Sequence, residues 1–308
     1  MTRVRVAVCA AYVCVVVSSR APPRAPGWQI TVDQYFYRNV YYIIDTVVTR
    51  LQDDPNRRFI YVEVGFFARW WETQPKAKQA VVQELVARGQ LEFINGGWCM
   101  HDEASPFYVE MVDQTTRGHQ FLKEHFGDAA IPRATWQIDP FGHSNTEAWL
   151  LGAEAGMESL FWGRTDYQDS HYRQSTAGKS SNHWLEWIWR GSESLGAHAD
   201  VFAGQLTTGG YSAPVSYSND DEQVQDDPRR HDYNVDQQVD AFITAALSLD
   251  NNTRGIHQMW PCGSDFEYQN ADPWFRNLDK IMHYVNQNAS RGGPVKAMYS
   301  TPTVRLRG

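Results

Sequence analysis

The stretch Trp136-Gln137-Ile138-Asp139-Pro140-Phe141-Gly142-His143-Ser144 constrains the fold more than any other part of the chain. A short apolar run ending at Ile138 delivers an acid into a Pro-Phe-Gly turn, and a helix-like segment follows at residues 146–155. A carboxylate at the C-terminal end of a strand, with a rigid turn behind it, is where α/β enzymes place their chemistry. The other role open to Asp139 is to cap the helix that follows, a common use of Asp at a strand–helix junction.

The same alternation runs along the chain. Residues 40–51 set Ile44, Val47, Val48 and Leu51 on one helical face, and Asp53-Asp54-Pro55 ends that segment. Residues 59–64 alternate like a strand, residues 76–88 read as a helix stopped at Gly89, and residues 91–94 read as a strand. A helix over 112–126 closes at Gly127; strands follow at 134–138 and 160–163. Helices at 235–249 and 274–286 lie among short strands at 257–260 and 295–299. Strands alternating with helices predict a mostly parallel β-sheet, closed as a barrel or left open, with surrounding helices. The Ser- and Asp-rich residues 212–230 read as a loop inserted into that scaffold.

A length of 308 residues suits one large or two ordinary domains. A formal charge of −8 argues against nucleic acid or an anionic membrane as partner. The 12 Trp, 15 Tyr and 14 Phe often lie beside acids and glycines, as in Gly97-Trp98; such rings suit sugar stacking or core packing. Arg3 and Arg5, an apolar run over 6–17 and small residues after it resemble a secretory signal peptide, too short to insert stably in a bilayer. Residues 1–26 are therefore expected to stand outside the fold, and 27–308 to form the domain. The sequons at Asn251 and Asn288 fit a secretory route: lysosome, vacuole or the extracellular space. With Cys9 and Cys14 in the leader, only Cys99 and Cys262 remain, and they are open to pairing or not.

Three further segments end strands as Asp139 does. Asn95-Gly96-Gly97-Trp98-Cys99-Met100-His101-Asp102-Glu103 carries two acids, Gly163-Arg164-Thr165-Asp166-Tyr167 a cation and an acid, and Gly263-Ser264-Asp265-Phe266 another acid. Singly, each reads as a cap or a solvated loop. Together they put several acids at one end of one sheet, which is what two carboxylates flanking a glycosidic bond require. Asp102, Asp139, Arg164 and Asp265 are expected to converge there.

These motifs resemble the α-mannosidases of glycoside hydrolase family 38, most nearly the lysosomal class. The likeness extends through Val32-Asp33-Gln34-Tyr35-Phe36, Arg69-Trp70-Trp71, Trp274-Phe275 and Tyr299-Ser300-Thr301-Pro302, and so runs from about residue 27 to 302. The resemblance implies a seven-stranded barrel like that of glycoside hydrolases and deacetylases, and a zinc-assisted retaining enzyme that removes terminal α-D-mannose from N-glycan-type oligosaccharides. It implies Asp139 as nucleophile and zinc ligand, Asp265 as acid/base, and Trp28, Phe141, Arg164 and Tyr211 as substrate-binding residues. Asp102 and Glu103 match a motif near the site to which the resemblance assigns no contact.

The departures are as specific as the matches. The family carries a His-x-Asp zinc-binding pair before Gly27-Trp28, and here Pro23 and Ala25 stand at those two places. No His precedes His101, and the family's downstream His ligand lies past the last residue, Gly308. Three protein ligands are usual in a catalytic zinc site, so Zn2+ binding is expected to be weak or absent; His101 and His143 are expected to be structural. The helical and β-sandwich domains of the family are expected to have no counterpart within these 308 residues. Two readings follow: an α-mannosidase whose sequence here is a fragment, or a catalytically inactive, mannose-binding remnant. A deacetylase-like metal hydrolase is a third reading, opposed by the Asp-Pro-Phe-Gly-His segment and Asp265.

Overall fold

The computed structural model describes residues 4–10, 30–104, 107–174, 185–206, 210–215, 223–249, 253 and 255–303. Its strands are β1 (Val4–Ala10), β2 (Phe59–Tyr61), β3 (Leu91–Phe93), β4 (Ala134–Gln137), β5 (Ser159–Trp162), β6 (Glu186–Arg190), β7 (Asp200–Gln205), β8 (His257–Cys262) and β9 (Val295–Tyr299). The α-helices are α1 (Val32–Tyr35), α2 (Tyr41–Asp53), α3 (Val64–Glu72), α4 (Lys76–Ala87), α5 (Tyr108–Phe126), α6 (Asn145–Trp149), α7 (Tyr167–Gln174), α8 (Val235–Leu249) and α9 (Ala271–Ser290).

The strands pair in parallel except β6, which runs antiparallel to β7. They form three small sheets ordered β8-β1-β9, β2-β3 and β4-β5-β7-β6. The mostly parallel α/β architecture is as the sequence predicts, but among the described residues the pairings do not close into the expected seven-stranded barrel. Strands of three or four residues leave the joints to other groups. Asn95 makes one such joint, its amide nitrogen donating to Ala134 O (3.1 Å) and its side chain bonding Trp136 N, Trp136 O and Thr135 Oγ1 at 2.7–2.8 Å. One apolar cluster gathers Cys9, Ile60, Val62, Ile94, Trp136, Ile138, Phe161, Leu206 and Met259 from strands or strand ends in all three sheets, so the interior is shared even where the hydrogen bonding is not. A second, larger cluster fills the space between strands and the helices α2, α3, α8 and α9.

The N-terminus corrects an expectation. Val4–Ala10 is a central strand, paired on one side with β8 (Ala10 opposite Cys262) and on the other with β9, and Val4, Val6 and Val8 are buried. Alternating valines suit a buried parallel strand as well as a leader's apolar core, and periodicity alone does not separate the two. The rest of the expected leader, residues 1–3 and 11–26, lies outside the described residues. No described helix is long and apolar enough to cross a membrane.

Other boundaries moved for tertiary reasons. Val64 opens α3 instead of ending a strand, because its amide and that of Gly65 donate to Gly97 O and Trp98 O, each at 3.0 Å. These acceptors, more than thirty residues away, are invisible to a local pattern. The helix expected over 146–155 is α-helical only to Trp149 and continues as a π-helical turn, Leu150–Glu154. β6, β7 and α7 carried no recognised sequence signal.

Helix α5 packs against the turn after β3 through Gly118. A Cβ there would stand 1.9 Å from Gly96 O and 2.9 Å from the Gly97 carbonyl carbon, both backbone atoms. Gly118→Ala is therefore expected to destabilise the chain by about 3 kcal/mol, at the upper end for overpacking, read as a lower midpoint in urea unfolding. A midpoint equal to that of the parent would refute this packing.

Candidate functional site

The parallel register brings the chemistry to one rim. Gln137 of β4 lies opposite Trp162 of β5, so the turns that follow, bearing Asp139 and Arg164, leave the sheet side by side. β8 ends at Cys262, and Asp265 lies in the turn just beyond it. Gly163 lets these segments close in. A Cβ there would stand 2.8 Å from Ile138 O and 3.0 Å from Gly210 O, so a hydrogen at that position allows the strand before Asp139 and the segment before Tyr211 to pack on the residue before Arg164.

At this rim Arg164 Nη2 lies 2.9 Å from Asp139 Oδ1. The same nitrogen donates to Tyr211 Oη at 3.3 Å, and the guanidinium lies 5.4 Å from the centre of the Tyr211 ring. Asp265 lies close enough to Tyr211 for each to shift the other's titration. Asp139, Arg164 and Tyr211 are thus joined by contacts, and Asp265 sits beside them within electrostatic reach. Asp265 is raised above the ordinary carboxylate range, first by desolvation and then by the nearby Asp139 charge, while Arg164 and Tyr211 pull the other way. Tyr211 is also raised, by desolvation foremost and by Asp265, with the Arg164 hydrogen bond opposing. Arg164 and Asp139 are both about two-fifths exposed, so the set opens to solvent and a ligand can reach it.

The Asp265 turn holds an unusual backbone. Phe266 has φ +60° and Tyr268 φ +65°, conformations that cost a non-glycine residue about 1–3 kcal/mol each and persist where the surroundings enforce them. Here the Phe266 ring stacks on Tyr35 at 5.5 Å and 7°. The buried Tyr268 hydroxyl donates to Cys262 O at 2.7 Å.

The other sequence candidates fare differently. Phe141 is 71 % exposed on the turn after Asp139. Trp28, Pro23 and Ala25 lie outside the described residues. Asp102 accepts from the Ala104 amide at 2.9 Å in a local turn. Cys99 and Cys262 are free thiols; burial pushes both up to about 12, and Glu63 adds to the effect at Cys99.

His101 and His143 are in structural contacts, as the sequence suggested. The His101 ring bonds both Glu147 carboxylate oxygens through Nδ1, at 2.7 and 2.9 Å, and Thr115 Oγ1 through Nε2 at 2.9 Å. Gln137 Nε2 donates to the same Glu147. His143 Nδ1 lies 2.7 Å from Glu103 Oε2, and its ring stacks on Trp162. Sequence reasoning did not pair these residues, because partners some forty positions apart leave no local signal.

Zinc requires donors this set does not supply. Among the described residues no group of three or more His, Cys, Asp and Glu is placed to hold a metal ion. Asp139 faces a guanidinium, and no His precedes His101 in the sequence.

Residues 25–304 match the family described as Glycosyl hydrolases family 38 N-terminal domain. An alpha-mannosidase of Arabidopsis thaliana is 49 % identical over 292 residues, which cover 90 % of this chain and 27 % of the relative. The alpha-mannosidase of Canavalia ensiformis is 46 % identical, over 90 % of this chain and 28 % of the relative. The human lysosomal alpha-mannosidase is 44 % identical, over 91 % and 28 % respectively. The chain thus spans little more than a quarter of the length of these relatives. Among solved structures, an alpha-mannosidase from Enterococcus faecalis superposes with a TM-score of 0.68 over 98 % of this chain and 29 % of the other, at 12 % identity, a likeness of fold.

Proposed function

Because the chain belongs to glycosyl hydrolase family 38, through that family's N-terminal domain, we propose that the rim formed by Asp139, Arg164, Tyr211 and Asp265 is an α-mannoside site. Its substrate is a terminal, non-reducing α-D-mannose of an N-glycan-type oligosaccharide, and its place of work is the secretory pathway, the lysosome or vacuole, or outside the cell. The protein is an enzyme by family. The observation that carries the reading is the pair of acids in unlike surroundings: Asp139 against a guanidinium, Asp265 with its proton held more tightly than usual. A carboxyl raised in this way suits the acid, and one held against a guanidinium suits the nucleophile.

In this reading Asp139 attacks the anomeric carbon as Asp265 protonates the departing glycosidic oxygen. Asp265 then takes a proton from the water that releases mannose, so configuration is retained. Tyr211 and Arg164 orient the sugar hydroxyls and hold the two acids in register. Phe141 and Trp28 supply ring surfaces for the sugar. Zn2+ is the cofactor the family implies. The described donors do not fit it, so no step is drawn through it, and zinc binding by this chain is proposed to be weak or absent.

The missing His-x-Asp pair favours a second reading, in which this chain binds mannose-type sugars without turning them over. The two are separated by measuring mannose release from an aryl α-mannoside at acidic pH with added zinc. The chain as it stands is expected to show little or no turnover. A chain given His and Asp at positions 23 and 25, and lengthened by the domains its relatives carry, is expected to be active. Zinc-dependent turnover by the present chain would overturn the expectation of a weak metal site.

A further inference from the structure

The side chains of Glu103 and His143 are nearly covered, and their hydrogen bonds lead to the main chain of Arg164. The Glu103 and His143 side chains are only 2 % and 8 % exposed and meet at 2.7 Å. Glu103 Oε1 accepts the Ser144 amide at 2.7 Å. His143 Nε2 lies 2.7 Å from the main-chain oxygen of Arg164. A carbonyl only accepts, so Nε2 carries a hydrogen and donates it. The ring is held flat on Trp162, with centroids 5.0 Å apart and planes 24° apart, so it has little freedom to turn away. One imidazole therefore ties the loop after β3 and the turn after β4 to the residue that leaves β5.

From this geometry we infer that Glu103 and His143 are positioning residues: by fixing the Arg164 main chain, they fix where its guanidinium meets Asp139. The inference deepens the proposed reading of the same site and gives the Asp102-Glu103 motif a role, carried by Glu103. The second buried pair, His101 with Glu147, lies at the same joint between the 101–103 loop and the start of α6. Its other hydrogen bonds go to Thr115 and Gln137, away from Arg164, so it serves as the internal control for burial at that joint.

The test reads the guanidinium itself in the full chain, with no sugar and no turnover. Arg164 NH protons, assigned by NMR from their loss in Arg164→Met, are expected to exchange slowly in the parent and at least about tenfold faster in Asp139→Asn, which removes the ionic partner. His143→Phe keeps the ring on Trp162 but removes both hydrogen bonds. Glu103→Met removes the acceptor. Both are expected to speed Arg164 exchange as Asp139→Asn does. Glu103→Gln is expected to rescue, because its amide donates to Nδ1 and leaves Nε2–H on the carbonyl. His101→Phe should leave Arg164 exchange at the parent rate. If His143→Phe does not fold, the contrast between Glu103→Met and Glu103→Gln decides alone. Folded variants with unchanged Arg164 exchange, or acceleration of equal size in His101→Phe, would overturn the positioning role. Since no hydrolysis is measured, failure of the α-mannoside reading leaves this result intact, and the converse holds as well.

Discussion

Asp139→Asn is expected to reduce mannose release by a lengthened chain carrying His and Asp at positions 23 and 25 by a factor on the order of 10⁴ or more, the scale seen when a nucleophile is lost. The substitution keeps the size of the side chain but removes the attacking charge and the ionic partner that Arg164 meets at 2.9 Å. Asp265→Asn is expected to cost about 10²–10⁴, the range for losing one general acid, and to spare substrates whose leaving group departs without protonation. A dinitrophenyl mannoside and a methyl mannoside compared in the same assay make that contrast. Equal losses on both substrates would remove Asp265 from the acid role.

The second large effect is on pH. Asp265 has to hold a proton to act as acid, and desolvation with the Asp139 charge keeps it above the usual carboxylate range. Activity should therefore fall as pH rises through that raised value. Tyr211→Phe removes a hydroxyl whose influence on Asp265 works in the opposite direction, so the falling limb should move to higher pH in that variant. The same sign applies to stability. A carboxyl that binds its proton more tightly folded than unfolded contributes stability below its unfolded value, and loses it as pH rises through the folded one. Profiles of kcat/KM for the parent and Tyr211→Phe, taken on the active lengthened chain, check the direction; a limb that shifts to lower pH contradicts this assignment.

Much of the architecture was readable because helix and strand periods differ and turns have their own chemistry. α8 and β9 fall on the residues the pattern marked, and the acid-bearing turns follow the strands that were expected to present them. What escaped notice depends on contacts distant in sequence. The start of α3 is set by Gly97 O and Trp98 O. Asn95 joins two sheets through side-chain bonds to β4. Val4–Ala10 was expected outside the fold and is paired in a sheet, because an apolar run reads alike in a leader and in a buried strand. At the site, Asp139, Arg164 and Asp265 were named from motifs and Tyr211 from the family resemblance, and they lie near one another. From Glu103, next to Asp102, a chain of hydrogen bonds runs through His143 to Arg164. Nothing in a linear sequence distinguishes the acid that caps a turn from the one beside it that braces a neighbouring loop.

The most direct test of the site is a covalent one. A retaining mechanism passes through a mannosyl ester on the nucleophile, and a fluorinated mannosyl fluoride slows its release enough for mass spectrometry. In the lengthened chain with His and Asp at positions 23 and 25, the account predicts one mannosyl adduct, on the peptide containing Asp139, absent from Asp139→Asn and formed more slowly in Arg164→Met. An adduct on another residue, or turnover that survives Asp139→Asn, would contradict it.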